Sequence, residues 1–255
     1  MKKVLSLITA TVVLMSCSMI SPKNWDKVEL AKAAASALQA ASITDAQVIA
    51  LSQQTIAQLD QENQMASSKY QQRLDKLLSQ IKDVEGIKIN YKVYNTDEVN
   101  AFACGDGSIR VYSGLMDLMD DGELMAILGH ECGHVVHQDT KKAMRNAYLA
   151  QAARNVVNST GGTIATLSQS VLGDIGEAFL GSQYSQKQEY AADEYGYKFS
   201  TEHGFDPYSM ANALEKLVTL AGSGKSSLVQ KMFSSHPDSA ERARKIRAKA
   251  DAAKK

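Results

Sequence analysis

Two histidines and a glutamate stand within five consecutive residues, His130-Glu131-Cys132-Gly133-His134, at a spacing that suits metal chemistry. Residues four apart in a helix share one face, with Cβ atoms about 5–6 Å apart. Two imidazoles on that face can bind one Zn²⁺ at about 2.0–2.1 Å from each nitrogen. Glu131 lies on the same edge of the helix and reaches a water on the metal rather than the metal itself. The pattern therefore predicts a zinc-activated water with Glu131 as its general base.

The residues around this motif are predicted to form a helix. Asp120 is followed three residues later by Glu123, a spacing typical of an N-terminal capping box. The helix then extends from about Glu123 to Gln138. Its back is apolar at Met125, Leu128, Cys132 and Val135. The alternative is a helix that carries two ordinary core or solvent-facing histidines, and it is disfavoured because such a pattern arises by chance in roughly one chain in a hundred.

A catalytic zinc needs a third protein ligand and an open fourth position. His137 is one candidate, but it lies seven residues beyond His130 and further along the helix axis. One straight helix cannot easily bend three imidazoles around an ion, and the spacing does not fit the longer three-histidine motif. His137 is therefore predicted to be a polar residue at the helix end.

The better candidate for the third ligand is Glu189, in the segment Glu189-Tyr190-Ala191-Ala192-Asp193. Glu189 and Asp193 share one face of a predicted helix, Gln186 to Thr201. A carboxylate behind an imidazole would fix the tautomer of a ligand histidine. Standing alone, the two acids would be read as solvated residues of a surface helix, but their pairing with the histidine motif favours the metal site.

An H-E-x-G-H motif followed about 55 residues later by E-x-x-x-D resembles peptidase family M48, from about Tyr70 to Ile246. The periplasmic lipoprotein members are the most similar in organisation. The resemblance implies that His130, His134 and Glu189 hold one Zn²⁺ per chain, that Glu131 activates a water, and that Asp193 hydrogen-bonds a ligand histidine. It also implies a zincin-like α+β fold, mainly helical with a small and mostly antiparallel sheet.

Two further segments are similar to parts of that family. Asn100-Ala101-Phe102-Ala103 resembles the edge strand beside the active-site helix, where an extended peptide can pair with free backbone groups. A plain core strand is the alternative. His236, in Ser235-His236-Pro237, could donate to the developing oxyanion as a catalytic residue, or its loop could close the open zinc position and hold the enzyme latent. A loop histidine without a role is the third alternative. Tyr184 is a weaker candidate for the oxyanion role.

The N-terminus is predicted to be an export signal. Lys2 and Lys3 precede an apolar run, Val4 to Met15, that is too short to span a bilayer. Leu14-Met15-Ser16-Cys17 resembles a bacterial lipobox, which implies cleavage before Cys17 and attachment of palmitate and other acyl chains there. Ordinary secretion is the alternative. By the same resemblance, Ser18 indicates sorting to the outer membrane, with the protein facing the periplasm.

Hydrophobic periodicity divides the rest of the chain. We assign residues 1–16 to the signal peptide, 17–60 to an N-terminal linker with helices, and 61–255 to the metallopeptidase domain. The segment-level predictions are an Ala-rich helix over 31–41, helical pattern over 42–81, strands at 87–94, 99–103 and 109–112, and a terminal helix over 239–255. A Cys-Gly-Asp-Gly turn joins the last two strands.

The charge balance bears on the class of partner, and the cysteines bear on whether the protein contains a disulfide. The chain has 28 basic and 28 acidic side chains, so its balance gives no reason to expect nucleic acid as a partner. Once Cys17 carries lipid, Cys104 and Cys132 remain, and in an oxidising compartment they could form a disulfide or stay as two buried thiols. Sequence alone leaves both alternatives open.

These features together predict a zinc-dependent endopeptidase that hydrolyses proteins of the cell envelope. Its expected partners are protein or peptide substrates, the membrane through the lipid anchor, and outer-membrane proteins or their assembly machinery. One alternative is a latent protease that acts mainly as a chaperone or assembly factor for outer-membrane proteins. Another is a structural lipoprotein whose histidines are incidental.

Overall fold

The structure is a computed structural model that describes residues 43–154, 167–237 and 239–254. The predicted signal peptide, Cys17 and the Ala-rich segment 31–41 lie outside the described residues. None of the helices in the described part is long and apolar enough to cross a membrane.

Helices make up most of the described chain. In chain order they are α1 (Asp45–Glu62), α2 (Ser68–Leu77), α3 (Ser113–Leu118), α4 (Asp121–Val136), α5 (Asp139–Arg154), α6 (Gln169–Leu180), α7 (Gln186–Glu202), α8 (Ser209–Ala221), α9 (Gln230–Ser235) and α10 (Ser239–Ala253). A 3-10 helix, Ser226–Val229, leads into α9. The strands are β1 (Asp83–Val84), β2 (Ile87–Lys88), β3 (Asn90–Tyr94), β4 (Ala101–Ala103) and β5 (Ser108–Tyr112).

The helices that matter most for the site begin at capping boxes. Asp120 and Glu123 satisfy each other's backbone N–H groups at the start of α4, as the sequence predicts. Ser185 and Gln188 form the same arrangement at the start of α7. Each box satisfies donors that a helix N-terminus otherwise leaves free, so the first residues of both helices are well defined.

The strands form a three-stranded sheet in the order β3-β5-β4 and a separate β1–β2 pair. β4 and β5 are antiparallel and joined by the predicted turn, whereas β3 runs parallel to β5. The β1–β2 pair is antiparallel as well, so the described strand pairs are mostly antiparallel, as expected. The predicted strand from Ile87 to Tyr94 is divided, because its first part pairs with β1 and its second with β5.

Two hydrophobic clusters cover the two faces of the three-stranded sheet. Side chains alternate between the faces of a strand, so Ala101, Ala103, Ile109 and Val111 face one cluster. This first cluster also contains the apolar residues of α4 and α8. The second cluster packs Phe102 and its neighbours on the other face against α1, α5 and α6.

The alternation of side chains also determines that the two cysteines lie in different clusters. Cys104 lies two residues beyond Phe102 and joins the second cluster, whereas Cys132 on α4 belongs to the first. Both are buried, free thiols, so of the two alternatives that the sequence left open the structure has the thiols and not the disulfide. Burial raises the pKa of the Cys132 thiol to about 12, so it is an inert apolar side chain.

Helices α4 and α7 pack closely against each other. At Gly196 an added Cβ would stand 2.5 Å from the carbonyl oxygen of Ala126, and at Gly133 it would stand 2.9 Å from the Cβ of Tyr195. These glycines let the two backbones approach more closely than any side chain would allow. The histidine motif and Glu189 are thereby brought side by side.

Candidate metal centre

Four buried side chains from three parts of the chain meet at one point. They are His130 and His134 of α4, Glu189 of α7, and His236, which follows α9. One potential ligand atom from each lies within 4.8 Å of the other three. His137 is exposed at the end of α4, with its ring centroid 6.0 Å from that of Tyr195, and lies outside this group. The structure thus gathers Glu189, and not His137, with the two motif histidines.

The distances within the group fit a tetrahedral cation. The Nε2 atoms of His130 and His134 are 3.1 Å apart, and His134 Nε2 is 3.3 Å from Glu189 Oε1. His236 Nδ1 is 3.0 Å from Glu189 Oε1 and 3.3 Å from His130 Nε2. Ligands at 2.0–2.1 Å from a tetrahedral zinc are about 3.3–3.4 Å from one another. The donor set of imidazole nitrogens and one carboxylate is also the set that zinc prefers.

The hydrogen bonds of the two motif histidines also favour a metal ion at this point. His130 Nδ1 is 2.9 Å from Asp193 Oδ1, and His134 Nδ1 is 3.3 Å from Asp139 Oδ2. A carboxylate accepts, so in the neutral form of each ring Nδ1 carries the proton and Nε2 presents a lone pair. Two Nε2 lone pairs 3.1 Å apart would repel, so this point needs a positive charge: a proton on His134 Nε2 when no metal is bound, or a metal ion between the two nitrogens. The arrangement therefore suits a metal ion.

Charge at the group is set by burial and by close partners. Burial acts to raise the pKa of Glu189, but His236 and His134 outweigh it and hold that pKa well below its usual range. Glu189 Oε2 is buried without a hydrogen bond, although it forms an ion pair with Arg242. The carboxylate therefore stays ionised while buried, and its Oε1 faces the histidines, as a metal ligand would.

The two histidines differ in their protonation equilibria. Burial lowers the pKa of His130, although the hydrogen bond to Asp193 opposes this. Burial also acts to lower the pKa of His134, but hydrogen bonds to Asp139 and Glu189 outweigh it and raise that pKa to about 9. The lone pair of His130 is thus the more readily available of the two at neutral pH.

Arg242 of α10 is a site residue that the sequence predicts to be solvent-exposed, with the other basic residues of the terminal helix. This prediction is wrong, because Arg242 is only 2% exposed. Its Nε donates to Asp193 Oδ2 at 2.7 Å and its Nη2 to Asp193 Oδ1 at 2.6 Å. Its Nη1 donates to the carbonyl oxygen of Pro237 at 3.4 Å. Nothing in the sequence around Arg242 shows that its guanidinium is buried behind Asp193.

Glu131 lies beside the group without belonging to it. The side chain is buried, and Oε1 is 3.8 Å from His236 Nε2. The ring of Tyr184 is stacked on that of His134 at a centroid distance of 3.9 Å and an interplanar angle of 15°. A carboxylate next to the ligand set but outside it is placed to exchange protons with a molecule bound there.

Strand β4 lies at one edge of the three-stranded sheet and packs against α4. Tyr112 N donates to Asn100 O, and Cys104 N donates to Ser108 O, so the backbone of Asn100 and Cys104 faces β5. Because these directions alternate along an antiparallel strand, the N–H and C=O groups of Ala101 and Ala103 point to the other edge. Asn100 Oδ1 is buried and has no hydrogen-bond partner.

Comparison with known proteins agrees with this geometry. Residues 66–250, which include all four members of the group, match peptidase family M48. The chain is 43% identical to metalloprotease LoiP of Escherichia coli strain K12 over 228 residues, which cover 88% of this chain and 89% of that protein. It is 38% identical to metalloprotease YcaL of the same strain over 252 residues, 96% of each. A beta-barrel assembly-enhancing protease of Yersinia pestis is 29% identical over 136 residues, 50% of this chain and 28% of that protein.

Proposed function

The chain is a metalloendopeptidase of peptidase family M48, and on that premise we propose that it binds one zinc ion through His130, His134 and Glu189. The observation that carries this assignment is the pair of Nε2 atoms 3.1 Å apart, each on a ring whose Nδ1 faces a carboxylate. Glu189 Oε1 lies 3.3 Å from one of these atoms and supplies the negative charge.

Glu131 is the proton carrier of the proposed reaction. Zinc, when bound, would polarise the scissile carbonyl and lower the pKa of a water to about 7. Glu131 accepts a proton from the attacking water and delivers it to the leaving amine as the peptide bond breaks. Its burial beside the ligand set keeps bulk water from competing for that proton.

Strand β4 is the proposed substrate-binding edge. An extended peptide can pair with the outward backbone groups of Ala101 and Ala103 and so become a further strand. Main-chain pairing of this kind requires an unfolded or extended segment and reads little of its side-chain sequence. Asn100, with its free buried oxygen, is placed to accept from a substrate amide at the start of the strand.

The substrates that fit this arrangement are unfolded or misassembled proteins of the cell envelope. A lipid at Cys17 would anchor the enzyme in the outer membrane, facing the periplasm, within reach of such chains. Support comes from the lipobox and from the name of a distant relative, a beta-barrel assembly-enhancing protease. Contacts with outer-membrane proteins or their assembly machinery follow from the same placement.

A latent protease that acts mainly as a chaperone for outer-membrane proteins is the second candidate. It is favoured by one observation, the position of His236 within the four-residue group. With Nδ1 3.3 Å from His130 Nε2, this imidazole lies where a fourth ligand would be, in the place that a water needs. Movement of the loop at His236 would then switch the enzyme on.

The test of the proposed function is Glu131→Gln. The amide preserves shape and is not a ligand, so zinc content and thermal stability should match those of the wild type. Because the amide cannot accept the proton of water, cleavage of an unfolded protein such as casein should fall by about 10²–10⁴-fold. Metal analysis and a fluorogenic digest measure the two quantities. Glu189→Ala is the matched control and should lose the zinc.

Cleavage by Glu131→Gln at the wild-type rate, with zinc bound, would contradict the proton-transfer role. A wild-type protein that holds no zinc after purification in metal-containing buffer would contradict the metal centre itself.

A further inference from the structure

Asp139, the first residue of α5, is a buried carboxylate for which the proposed reaction has no use. It is only 3% exposed. Its Oδ2 lies 3.3 Å from His134 Nδ1, and its Oδ1 accepts from Gln188 Nε2 at 2.7 Å. Lys142 Nζ lies 3.5 Å from the same Oδ1. One carboxylate oxygen is thus committed to the ring of His134 and the other is held in place by its neighbours.

The backbone makes a costly turn to bring Asp139 there. α4 ends at Val136, and Gln138 follows with φ of +61°, in the left-handed region that residues other than glycine rarely adopt. The chain turns at this residue, and the carboxylate of Asp139 at the start of α5 contacts His134 in the last turn of α4. Such strained residues persist where the surrounding structure requires them, and they cluster at functional sites.

Gln188 connects this carboxylate to the other helix of the site. Its Oε1 accepts from Ser185 N at 2.9 Å in the capping box of α7, while its Nε2 donates to Asp139. The next residue is Glu189. The same side chain therefore fixes the start of the helix that carries Glu189 and the carboxylate that faces His134.

We propose that Asp139 is a positioning residue, which orients the ring of His134 and fixes its Nδ1–H tautomer so that Nε2 can bind the metal. Gln188 holds Asp139 in register with Glu189, so the two ligands on α4 and α7 keep their separation. Asp139 thus accepts a hydrogen bond from Nδ1 of His134, as Asp193 does from Nδ1 of His130. This inference rests on the proposed zinc site.

A purely structural role makes a different prediction. An acidic residue at the start of α5 stabilises that helix, and Asp139 pairs with Lys142. Lys142 is 61% exposed, so this ion pair contributes little. If helix stabilisation were all that Asp139 does, its replacement would lower the stability of the metal-free protein and leave zinc affinity intact.

Asp139→Asn in the full chain separates the two roles. Gln188 donates to Oδ1, so the oxygen of the new amide stays there and its NH₂ group faces His134 Nδ1. That group donates, which selects the other tautomer of His134 and places a proton on the nitrogen that should bind zinc. Loss of a carboxylate behind a ligand histidine weakens metal binding about 10–100-fold. Zinc affinity is measured by competition with a chromogenic chelator, and thermal unfolding is measured on the metal-free protein.

We expect zinc affinity to fall by that factor while the melting temperature of the metal-free protein changes little, since asparagine also suits a helix start. Lys142→Gln, which removes the exposed partner and keeps the carboxylate, should bind zinc as the wild type does. Unchanged zinc affinity in Asp139→Asn would overturn the inference and leave the zinc site standing. A wild-type protein without zinc would overturn the proposed function, and this inference with it.

Discussion

Each of the two motif histidines has a carboxylate behind it, but the two carboxylates are held differently. Asp193 forms a bidentate pair with the guanidinium of Arg242, which donates to both carboxylate oxygens. Asp139 is held by the amide of Gln188. Arg242 adds a buried positive charge close to His130, whereas no arginine is recorded beside His134 in the described part of the chain. Burial lowers the pKa of His130, whereas at His134 the same effect of burial is outweighed by hydrogen bonds to Asp139 and Glu189, which raise that pKa.

His236 is the residue whose replacement separates the two candidate functions. Its Nδ1 lies at ligand distance from the others, so His236→Ala should open the position that the attacking water needs. If His236 keeps the enzyme latent, cleavage of a short fluorogenic peptide should rise several-fold, with zinc still held by three ligands. Initial rates and zinc content of the purified variant are the measurements.

A fall in the rate of His236→Ala with zinc retained would instead assign His236 to the oxyanion and contradict latency. His203→Ala is a suitable control, because that ring caps α7 through the carbonyl oxygen of Phe199, away from the four-residue group.

At the scale of elements, the site depends on the close approach of α4 and α7. Gly196→Ala should place a methyl group 2.5 Å from the carbonyl oxygen of Ala126 and push the helices apart. Overpacking of this kind costs about 1–3 kcal/mol. Because Glu189 moves with α7, zinc affinity should also decrease. Chemical denaturation and chelator competition measure the two effects.

Gly173→Ala is the matched control on α6. An added Cβ there meets only Glu62 Oε1 at 3.4 Å, so alanine should stabilise the helix by about 0.5–1 kcal/mol. If both variants behaved alike, the close crossing of α4 and α7 would not be what limits substitution at Gly196.

A second element-scale feature joins α1 to the sheet. Asp60 accepts from the buried guanidinium of Arg110 on β5 and from Lys92 and Tyr94 on β3. Burial acts to raise the pKa of Asp60, but the hydrogen bonds with Arg110, Lys92 and Tyr94 outweigh it and lower that pKa. The carboxylate is therefore ionised when the protein is folded near neutral pH, and its hydrogen bonds join α1 to β3 and β5.

Asp60→Asn leaves Arg110 buried without its counter-charge, so we expect a loss of about 3 kcal/mol of unfolding free energy at pH 7. A carboxyl group whose pKa is lowered by folding stabilises the protein above its unfolded pKa of about 3.9, and this stabilisation is lost as the pH falls through the folded pKa. The difference between wild type and variant should thus narrow below about pH 4 in urea titrations. Lys92→Gln, at a more exposed partner, should change little. If the unfolding free energies of wild type and Asp60→Asn differed as much below about pH 4 as at pH 7, the ion pair would be contradicted.

At the scale of the whole molecule, the question is where the enzyme works. If Cys17 carries the lipid anchor, Cys17→Ala should release the protein from the membrane fraction or leave the precursor uncleaved. Metabolic labelling with a fatty-acid analogue should lose all signal in this variant. Cys104→Ser is the control and should keep the label, because Cys104 is a buried thiol of the second cluster. Label retained in Cys17→Ala would contradict the lipobox.

The local features of this protein follow from its sequence. The spacing of His130 and His134, the capping boxes of α4 and α7, and the hairpin of β4 and β5 all depend on residues close together in the chain, where backbone geometry alone fixes which groups meet. The resemblance to the family added Glu189 and Asp193 to the predicted metal site, although they lie far from the histidines in the chain. Predicted boundaries differ from the observed ones by a few residues, as for α4, which begins at Asp121 and ends at Val136.

Only the tertiary structure decided which distant groups share a site. Periodicity shows which face of an element is buried, but not what lies opposite it. For that reason the sequence could not decide between the alternatives for the two cysteines or for His236. It also could not show that Arg242 binds Asp193, or that Asp139 accepts from the imidazole of His134. The parallel pairing of β3 with β5 is likewise set by packing on both faces of the sheet, because no short turn joins the two strands.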